Sequence, residues 1–189
     1  NREFKDIFFN QMGIHNVSNA LGALAMADQA GIDINKSLLA LESFPGVYRR
    51  MNLYRWRDIV IIDDYAHHPS EIDSVFKTIK TFYPKQKNCV VFQPHLFSRT
   101  RDFMNDFKTT LSKFDEVILM DIYPAREEPI KGVNAKILFD GISHTKKGYI
   151  EKNQIKKILK SSNADVFALL GAGDIGEEIK KLKREFISL

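Results

Sequence analysis

The stretch Asp63-Asp64-Tyr65-Ala66-His67-His68-Pro69 brings two carboxylates and two imidazoles close together in the chain. It follows residues 59–62, a β-branched apolar run typical of a strand buried on both faces of a parallel sheet. Ser70, with Asp73 three positions later, indicates the start of a helix. Because ligands of open α/β sheets bind where strands end and helices begin, we predict that this turn belongs to an active site.

Two more loops carry polar side chains directly after predicted strands. Residues 93–101 follow one strand and contain His95 and Arg99, and residues 123–129 follow the next and contain Arg126. The carboxyl ends of parallel strands meet at one edge of a sheet, so these loops are expected to converge with residues 63–69. Arginines there suit anionic groups, because the guanidinium fork matches a carboxylate or phosphate.

The last motif along the chain is a glycine-rich turn. Residues 171–176 (GAGDIG) match G-x-G-x-x-G between a predicted strand and a predicted helix. The dinucleotide fingerprint also requires an acidic residue about twenty positions further on, whereas this sequence stops within the following helix. We interpret the motif as a tight turn whose backbone N–H groups meet an anion. A stand-alone dinucleotide-binding or redox module using Gly171 to Gly176 remains an alternative.

A second alternative is a metal-dependent phosphoesterase using Asp63, Asp64, His67 and His68. Neighbouring histidines without a third, spaced ligand argue weakly for a metal, and we predict no metal site in this chain. A P-loop is also missing, since no G-x-x-x-x-G-K-[ST] occurs in the sequence.

Composition indicates a soluble globular protein. Apolar residues make up 44% of the chain and charged residues 28%, the net charge is +4, and Cys89 is the single cysteine. No apolar run has the length of a bilayer span, and the lysines lie on helix faces without an aromatic stacking pattern. We therefore expect a cytoplasmic protein without membrane or nucleic-acid partners, and the oligomeric state is left open.

The first 45 residues differ from the rest of the chain. Apolar periodicity predicts helices over residues 16–30 and 36–43, too little to form a domain. We expect this segment to be a mainly helical tail of a larger domain. Asn16 and Asn19 lie on one face of the first helix, where amides can recognise adenine; alternatively, Asn16 is only the N-cap.

From residue 46, strands and helices alternate. A hairpin is predicted over residues 47–54 and 58–63, with its turn at 55–57. Five strand-helix units follow, including a helix from about Thr100 and a last helix from Asp174. This alternation predicts an α/β fold: a Rossmann-like, mainly parallel sheet with helices on both faces and one antiparallel edge strand.

Six motifs occur together and in order: residues 13–19 (GIHNVSN), 44–50 (FPGVYRR), 63–69 (DDYAHHP), 92–101 (FQPHLFSRTR), 123–125 (YPA) and 171–173 (GAG). Together they resemble the Mur ligases of peptidoglycan synthesis over nearly the whole chain. The pair formed by residues 63–69 and 92–95 resembles the alanine-adding member. The resemblance implies that residues 1–45 end a central ATPase domain and that residues 46–189 form a C-terminal Rossmann-like domain.

The resemblance also implies the reaction. ATP converts the carboxylate of UDP-N-acetylmuramate to an acyl phosphate, which the amine of L-alanine attacks. ATP and Mg²⁺ would be held mostly by the central domain, which carries the P-loop in this family. The resemblance therefore implies that this chain alone is inactive.

Residue roles follow from the same resemblance. Arg50 would reach the γ-phosphate and Asp64 would orient Arg50 or the nucleotide and its metal; both are the predicted catalytic residues. The predicted nucleotide-binding residues are His15, Asn16 and Asn19, and the predicted substrate-binding residues are Tyr65, His67, His68, His95 and Arg99. Leu96 stands where relatives often carry arginine, and Arg126 where many carry glycine.

Overall fold

The computed structural model describes residues 7–143 and 146–188. The chain divides into two compact units, and the division falls between Tyr48 and Arg49. This is three residues beyond the boundary predicted at residue 45. That the first unit is the end of a central ATPase domain stays a prediction.

The first unit contains helices α1 (Ile14–Gln29) and α2 (Ile34–Glu42). The N-cap of α1 is Gly13, so the interpretation of Asn16 as an N-cap is wrong. Asn16 lies within the first turn, and its side-chain amide donates to the Met12 carbonyl at 2.8 Å. No residue of the described range 7–48 is buried.

The second unit contains a mixed sheet of seven strands in the order β5-β4-β3-β6-β2-β1-β7. The strands are β1 (Asn52–Trp56), β2 (Ile59–Asp64), β3 (Asn88–Phe92), β4 (Glu116–Leu119), β5 (Lys147–Tyr149), β6 (Val166–Leu170) and β7 (Ile187–Ser188). Strands β5, β4, β3, β6 and β2 are parallel, whereas β1 is antiparallel to both β2 and β7. The predicted mainly parallel α/β sheet is confirmed, with the short strand β7 added outside β1.

Helices follow most strands. They are α3 (Pro69–Phe82), α4 (Phe97–Asp102), α5 (Met104–Leu111), α6 (Ala135–Asp140), α7 (Ile155–Ser161) and α8 (Ile175–Leu182), with 3-10 turns at Lys152–Gln154 and Lys183–Glu185. The helix expected from Thr100 begins earlier, at Phe97, and is interrupted at Phe103. In the part of the chain that the structure describes, no helix is both long and apolar enough to cross a bilayer.

Both faces of the sheet are covered by helices. Every residue of β3 and β6 is buried, as expected for strands enclosed on both sides. On one face, Phe167 belongs to a core cluster with Ile155 of α7 and Ile179 of α8. On the other face, the ring of Phe92 lies 5.4 Å from that of Phe107 in α5. Alternate strand residues therefore enter two separate cores.

The hairpin is displaced from its predicted position. Strand β1 begins only at Asn52, because the preceding residues turn: φ is 55° at Arg49 and 49° at Met51. The connection to β2 is formed by Arg57 and Asp58, with φ of 55° at Arg57. Residues 49–51, which were expected to belong to the first strand, instead form a tight corner beside the carboxyl end of β2.

Candidate active site

The loops that follow β2 and β3 converge with Tyr123 in a row of rings. The ring centroids of Tyr65 and His67 are 5.5 Å apart, and those of His67 and His95 are 6.0 Å apart. The row continues to Tyr123, whose ring stacks on His95 at 5.7 Å. The structure thus brings together the predicted residues Tyr65, His67 and His95 at the carboxyl edge of the sheet.

Arg50 projects from the corner that precedes β1. Its neighbours Arg49 and Met51 are buried, whereas Arg50 is exposed. The Arg50 guanidinium carbon lies 5.8 Å from the ring centroid of Tyr65. This geometry leaves a fixed positive charge at the surface, beside the row of rings.

Asp64 lies at the same corner. Its carboxylate accepts hydrogen bonds from the backbone N–H of Met51 at 2.8 Å and of Ala66 at 2.7 Å. It therefore ties the residue that follows Arg50 to the loop that carries Tyr65 and His67. Arg50 and Asp64, predicted to share a site, do lie together.

Asp63, Arg49 and Lys183 form a buried ionic cluster beneath this corner. Arg49 Nε donates to Asp63 Oδ1 at 2.9 Å, and Lys183 Nζ lies 2.9 Å from Asp63 Oδ2. Desolvation is the largest single influence on Lys183 and lowers its pKa, but the contacts of its ammonium with Tyr54 and Asp63 outweigh it, and the net pKa is raised. Our sequence interpretation gave Arg49 no role. It counted Lys183 among the lysines of solvated helix faces, which is wrong, because that side chain is only 18% exposed and is paired with Asp63. The sequence feature that could have indicated both residues is Asp63, because a carboxylate inside a buried strand requires a cationic partner.

The two neighbouring histidines have different structural positions. His67 Nδ1 lies 2.9 Å from the carbonyl of Tyr65, which can only accept, so Nδ1 carries the proton in that bond. His68 is instead the N-cap of α3: its Nδ1 accepts from the backbone N–H of Ser70, while Glu71 accepts from the N–H of His68. The N-cap therefore lies two residues before Ser70, and the helix itself begins at Pro69, one residue earlier than predicted.

His95 is paired with Arg99. The Arg99 Nη1 donor lies 3.2 Å from His95 Nδ1, and since a guanidinium can only donate, the proton of neutral His95 resides on Nε2. Burial is the main cause that lowers the pKa of His95, followed by the charges of Arg99 and His67, while Glu127 opposes them. Burial and Arg99 thus favour the neutral imidazole of His95, with its proton on Nε2.

The predicted nucleotide-binding residues His15, Asn16 and Asn19 all belong to α1 of the first unit. His15 and Asn16 are partly buried, and Asn19 is exposed. Their role in binding a nucleotide stays a prediction.

The glycines of residues 171–176 are explained by the protein's own atoms. A Cβ on Gly171 would lie 2.7 Å from the Gln93 carbonyl, and one on Gly173 would lie 2.6 Å from Cβ of Tyr123. The N–H of Ile175 donates to the Gln93 side chain at 2.8 Å, and the next two N–H groups donate to carbonyls within the turn. Those three N–H groups are therefore not offered to an anion, and the dinucleotide-binding alternative is not supported.

A metal site built on Asp63 and Asp64 is equally unsupported by the contacts. Both carboxylates are buried and engaged, Asp63 by two cations and Asp64 by two backbone N–H groups. Among residues 7–143 and 146–188, no group of three or more histidine, cysteine, aspartate or glutamate side chains is placed to hold a metal ion. The phosphoesterase alternative therefore lacks a ligand set.

A cleft of about 410 Å³ lies next to the row of rings. It shares Tyr123 with that row, and its walls include Gln93 and the ion pair of Lys152 with Asp174 at 2.7 Å. Gln93 is buried and donates to Asp174 at 2.6 Å, so the cleft wall is tied to the glycine turn. Sequence analysis did not single out Gln93, whose role depends on contacts between distant segments.

The sequence was compared with protein families and with known proteins. The profile described as "Mur ligase, glutamate ligase domain" matches residues 49–182, which is most of the second unit. A UDP-N-acetylmuramate–L-alanine ligase of Christiangramia forsetii is 50% identical over 184 residues, covering 97% of this chain and 41% of that ligase. One of Flavobacterium psychrophilum is 50% identical over 182 residues, covering 96% of this chain and 41% of that ligase.

A solved structure has the same fold. The UDP-N-acetylmuramate-alanine ligase MurC of Thermotoga maritima superimposes with a TM-score of 0.76 and is 29% identical, covering 97% of this chain and 40% of that one. This chain thus spans about two fifths of the length of the relatives it matches. The matched profile, the shared fold and the convergence of Arg50, Asp64 and the ring-bearing loops lead to one conclusion: the chain belongs to the Mur ligase family and contains its C-terminal domain.

Proposed function

We propose that this chain is the C-terminal part of an ATP-dependent ligase that joins L-alanine to UDP-N-acetylmuramate through an acyl phosphate, in the cytoplasm. The names of the relatives that are 50% identical support this substrate pair. The observation that carries the proposal is the corner at residues 49–51, where an exposed arginine stands between two buried, left-handed neighbours. A surface arginine whose backbone is fixed on both sides is suited to a ligand with a fixed charge pattern.

Arg50 acts on the phosphate in this proposal. Its guanidinium donates to the equatorial oxygens of the γ-phosphoryl group, where negative charge is spread during transfer. Asp64 contributes indirectly: by accepting from the N–H of Met51, it fixes the backbone from which Arg50 projects. Phosphoryl transfer requires little covalent chemistry from the protein, so positioning and charge are what these residues supply.

The row of rings forms the amino-acid end of the proposed site. Arg99 binds the carboxylate of L-alanine, and its bond to His95 limits the directions in which its fork can point. Tyr65, His67 and His95 line the same edge, and His68 supports it from the start of α3. With Leu96 in place of a second cation, the grip on the carboxylate depends on Arg99.

Residues 7–143 and 146–188 do not themselves provide a site for Mg²⁺. Asp63 and Asp64 are engaged by other groups, and the sequence holds no P-loop. We therefore assign most of the binding of the ATP phosphates, and of the accompanying Mg²⁺ that neutralises their charge when bound, to residues outside this chain, with Arg50 reaching the γ-phosphate from this one. His15, Asn16 and Asn19 would contribute to the adenine. In this proposal the chain alone does not turn over ATP.

Replacing Arg50 in the intact ligase tests the proposal. Arg50→Ala is expected to lower kcat by about a hundredfold, as loss of a donor to transition-state charge does. Turnover is measured as phosphate released from ATP with UDP-N-acetylmuramate and L-alanine present. Arg57→Ala is the matched control, since Arg57 is also exposed, has a positive φ and lies over an aromatic ring, but at the opposite end of the hairpin. Near-normal turnover of Arg50→Ala would refute the role of Arg50.

A further inference from the structure

We propose that Arg49 is the positioning residue for Arg50. Arg49 is anchored by Asp63, which also pairs with Lys183, and Gly176 leaves the space that the Arg49 side chain occupies. The proposal rests on the function proposed above, because it requires Arg50 to act on a ligand. It assigns a role to the ionic cluster beneath the corner and to the last glycine of residues 171–176.

The first argument is backbone strain. Arg49 and Met51 both have φ in the left-handed region, at 55° and 49°, where non-glycine residues are uncommon. Such conformations cost free energy and persist only where surrounding contacts enforce them. Here they flank one exposed residue, Arg50, so the strain fixes the direction in which that side chain leaves the surface.

The second argument is the number of bonds at Arg49. Its N–H donates to the Asn52 side chain at 2.6 Å, and its carbonyl accepts from the N–H of Tyr65 at 2.8 Å. Its guanidinium donates from Nε to Asp63 and from Nη2 to the Gly171 carbonyl at 2.8 Å. Arg49 thus connects the corner to the end of β2 and to the turn after β6.

The third argument is the charge balance around Asp63. Asp63 is fully buried and lies between Arg49 and Lys183, whose side chains are 6% and 18% exposed. A buried carboxylate that loses one of two cationic partners is strongly disfavoured, so the cluster holds Arg49 in place. Lysine could not replace Arg49, because its ammonium cannot donate from two fixed positions along one planar group.

Gly176 supplies the space that Arg49 occupies. A Cβ at Gly176 would lie 2.5 Å from Nη1 of Arg49 and 3.0 Å from its guanidinium carbon. The guanidinium is buried and bonded on two sides, so it cannot turn away without breaking those bonds. A glycine is therefore needed at position 176 to make room for Arg49. This explains the third glycine of the motif, and no bound nucleotide is required to explain it.

Two variants of the intact ligase disturb Arg49 in different ways. Arg49→Lys keeps the positive charge but removes the planar guanidinium and its fixed donors. Gly176→Ala keeps Arg49 but adds a methyl group that displaces its guanidinium. Both are expected to lower kcat, by up to about a hundredfold, as misplacement of a catalytic group by about 1 Å can do. The fraction folded under assay conditions is measured by circular dichroism, and activity is expressed per folded molecule. Arg57→Lys is the matched control and should retain kcat.

A double-mutant cycle shows whether Arg49 acts through Arg50. In an Arg50→Ala background, Arg49→Lys and Gly176→Ala should each cause less than about a twofold further loss, since the group they position is gone. If the losses multiply, Arg49 has only a general structural role and the inference is overturned while the function of Arg50 stands. If Arg50→Ala itself has normal turnover, the proposed function and this inference fail together.

The unmodified chain provides a test that does not depend on any variant folding. The backbone N–H groups of Met51 and Tyr65 should exchange with solvent slowly, in spite of their position beside exposed Arg50, because Asp64 and Arg49 accept from them. In folded Arg49→Lys, both should exchange at least about tenfold faster. Fast exchange in the unmodified chain would overturn the inference.

Discussion

At the scale of single residues, adjacent arginines have opposite environments. Arg49 is 5% exposed and bonded in several directions, whereas Arg50 is exposed. Similarly, Asp63 faces two cations and Asp64 faces two backbone N–H groups, although they are neighbours in β2. Asp63 and Asp64 enter different surroundings because successive residues of a strand point to opposite faces. Arg49 and Arg50 do so because the left-handed corner at residues 49–51 turns the chain between them. The residue type alone therefore does not show that Arg49 is buried and Arg50 exposed, or that Asp63 pairs with cations and Asp64 with backbone N–H groups.

His95 should make folding stability depend on pH. Burial and nearby Arg99 lower its pKa below the ordinary 6.5, so the unfolded chain binds a proton more readily than the folded one in the window below 6.5. The contribution of His95 to the free energy of unfolding is therefore at its full value above that window, and it falls as pH drops through the window. Urea denaturation from about pH 7 to about pH 5 should show a steeper decline for the unmodified protein than for His95→Gln. Parallel declines would contradict this prediction.

At the scale of elements, the start of α3 depends on a histidine. His68 caps the helix, Glu71 completes the capping box, and Pro69 occupies the first helical position. The ring of His68 also lies 4.5 Å from that of Phe103, the residue that separates α4 from α5. Ser70 appeared the better cap from sequence because serine is common there and histidine is not. The ring contact with Phe103, distant in sequence, adds to the capping bonds that hold His68 in this position.

Loss of this cap should weaken the second unit measurably. His68→Ala is expected to lower the free energy of unfolding by about 1 kcal/mol, since the first-turn N–H of Ser70 loses its acceptor. His68→Asn is the matched variant, because asparagine is a good N-cap and should restore most of the loss. Urea denaturation with an unchanged m-value measures both effects. Equal stabilities of the alanine and asparagine variants would show that the cap bond is not what matters.

At the scale of the molecule, the two units differ in burial. The described residues 7–48 include no buried side chain, whereas the second unit has a sheet with a core on each face. Burial of apolar surface is the main term that offsets the loss of chain entropy on folding. The second unit therefore holds most of the chain's stability.

Limited proteolysis should reveal this difference. Segments with little burial open at low free-energy cost, so a dilute protease should cleave within residues 7–48 first. A resistant fragment close to residues 49–189 should accumulate and is identified by mass spectrometry. Cleavage of both units at the same rate, with no such fragment, would contradict the prediction.

The sequence by itself determined the class of fold, the family and the edge of the sheet at which the polar loops meet. Hydrophobic periodicity and strand-helix alternation are local signals, and the motifs at residues 63–69 and 92–101 lie in continuous stretches. Only the tertiary structure decided that β1 starts after the corner at residues 49–51, that His68 caps α3, and that Gly176 makes room for Arg49. Each of these depends on contacts between segments distant in the chain, such as Arg49 with Gly171 and Asp63 with Lys183. Local propensity carries no information about such contacts, because burial and pairing of these side chains exist only once the sheet has assembled.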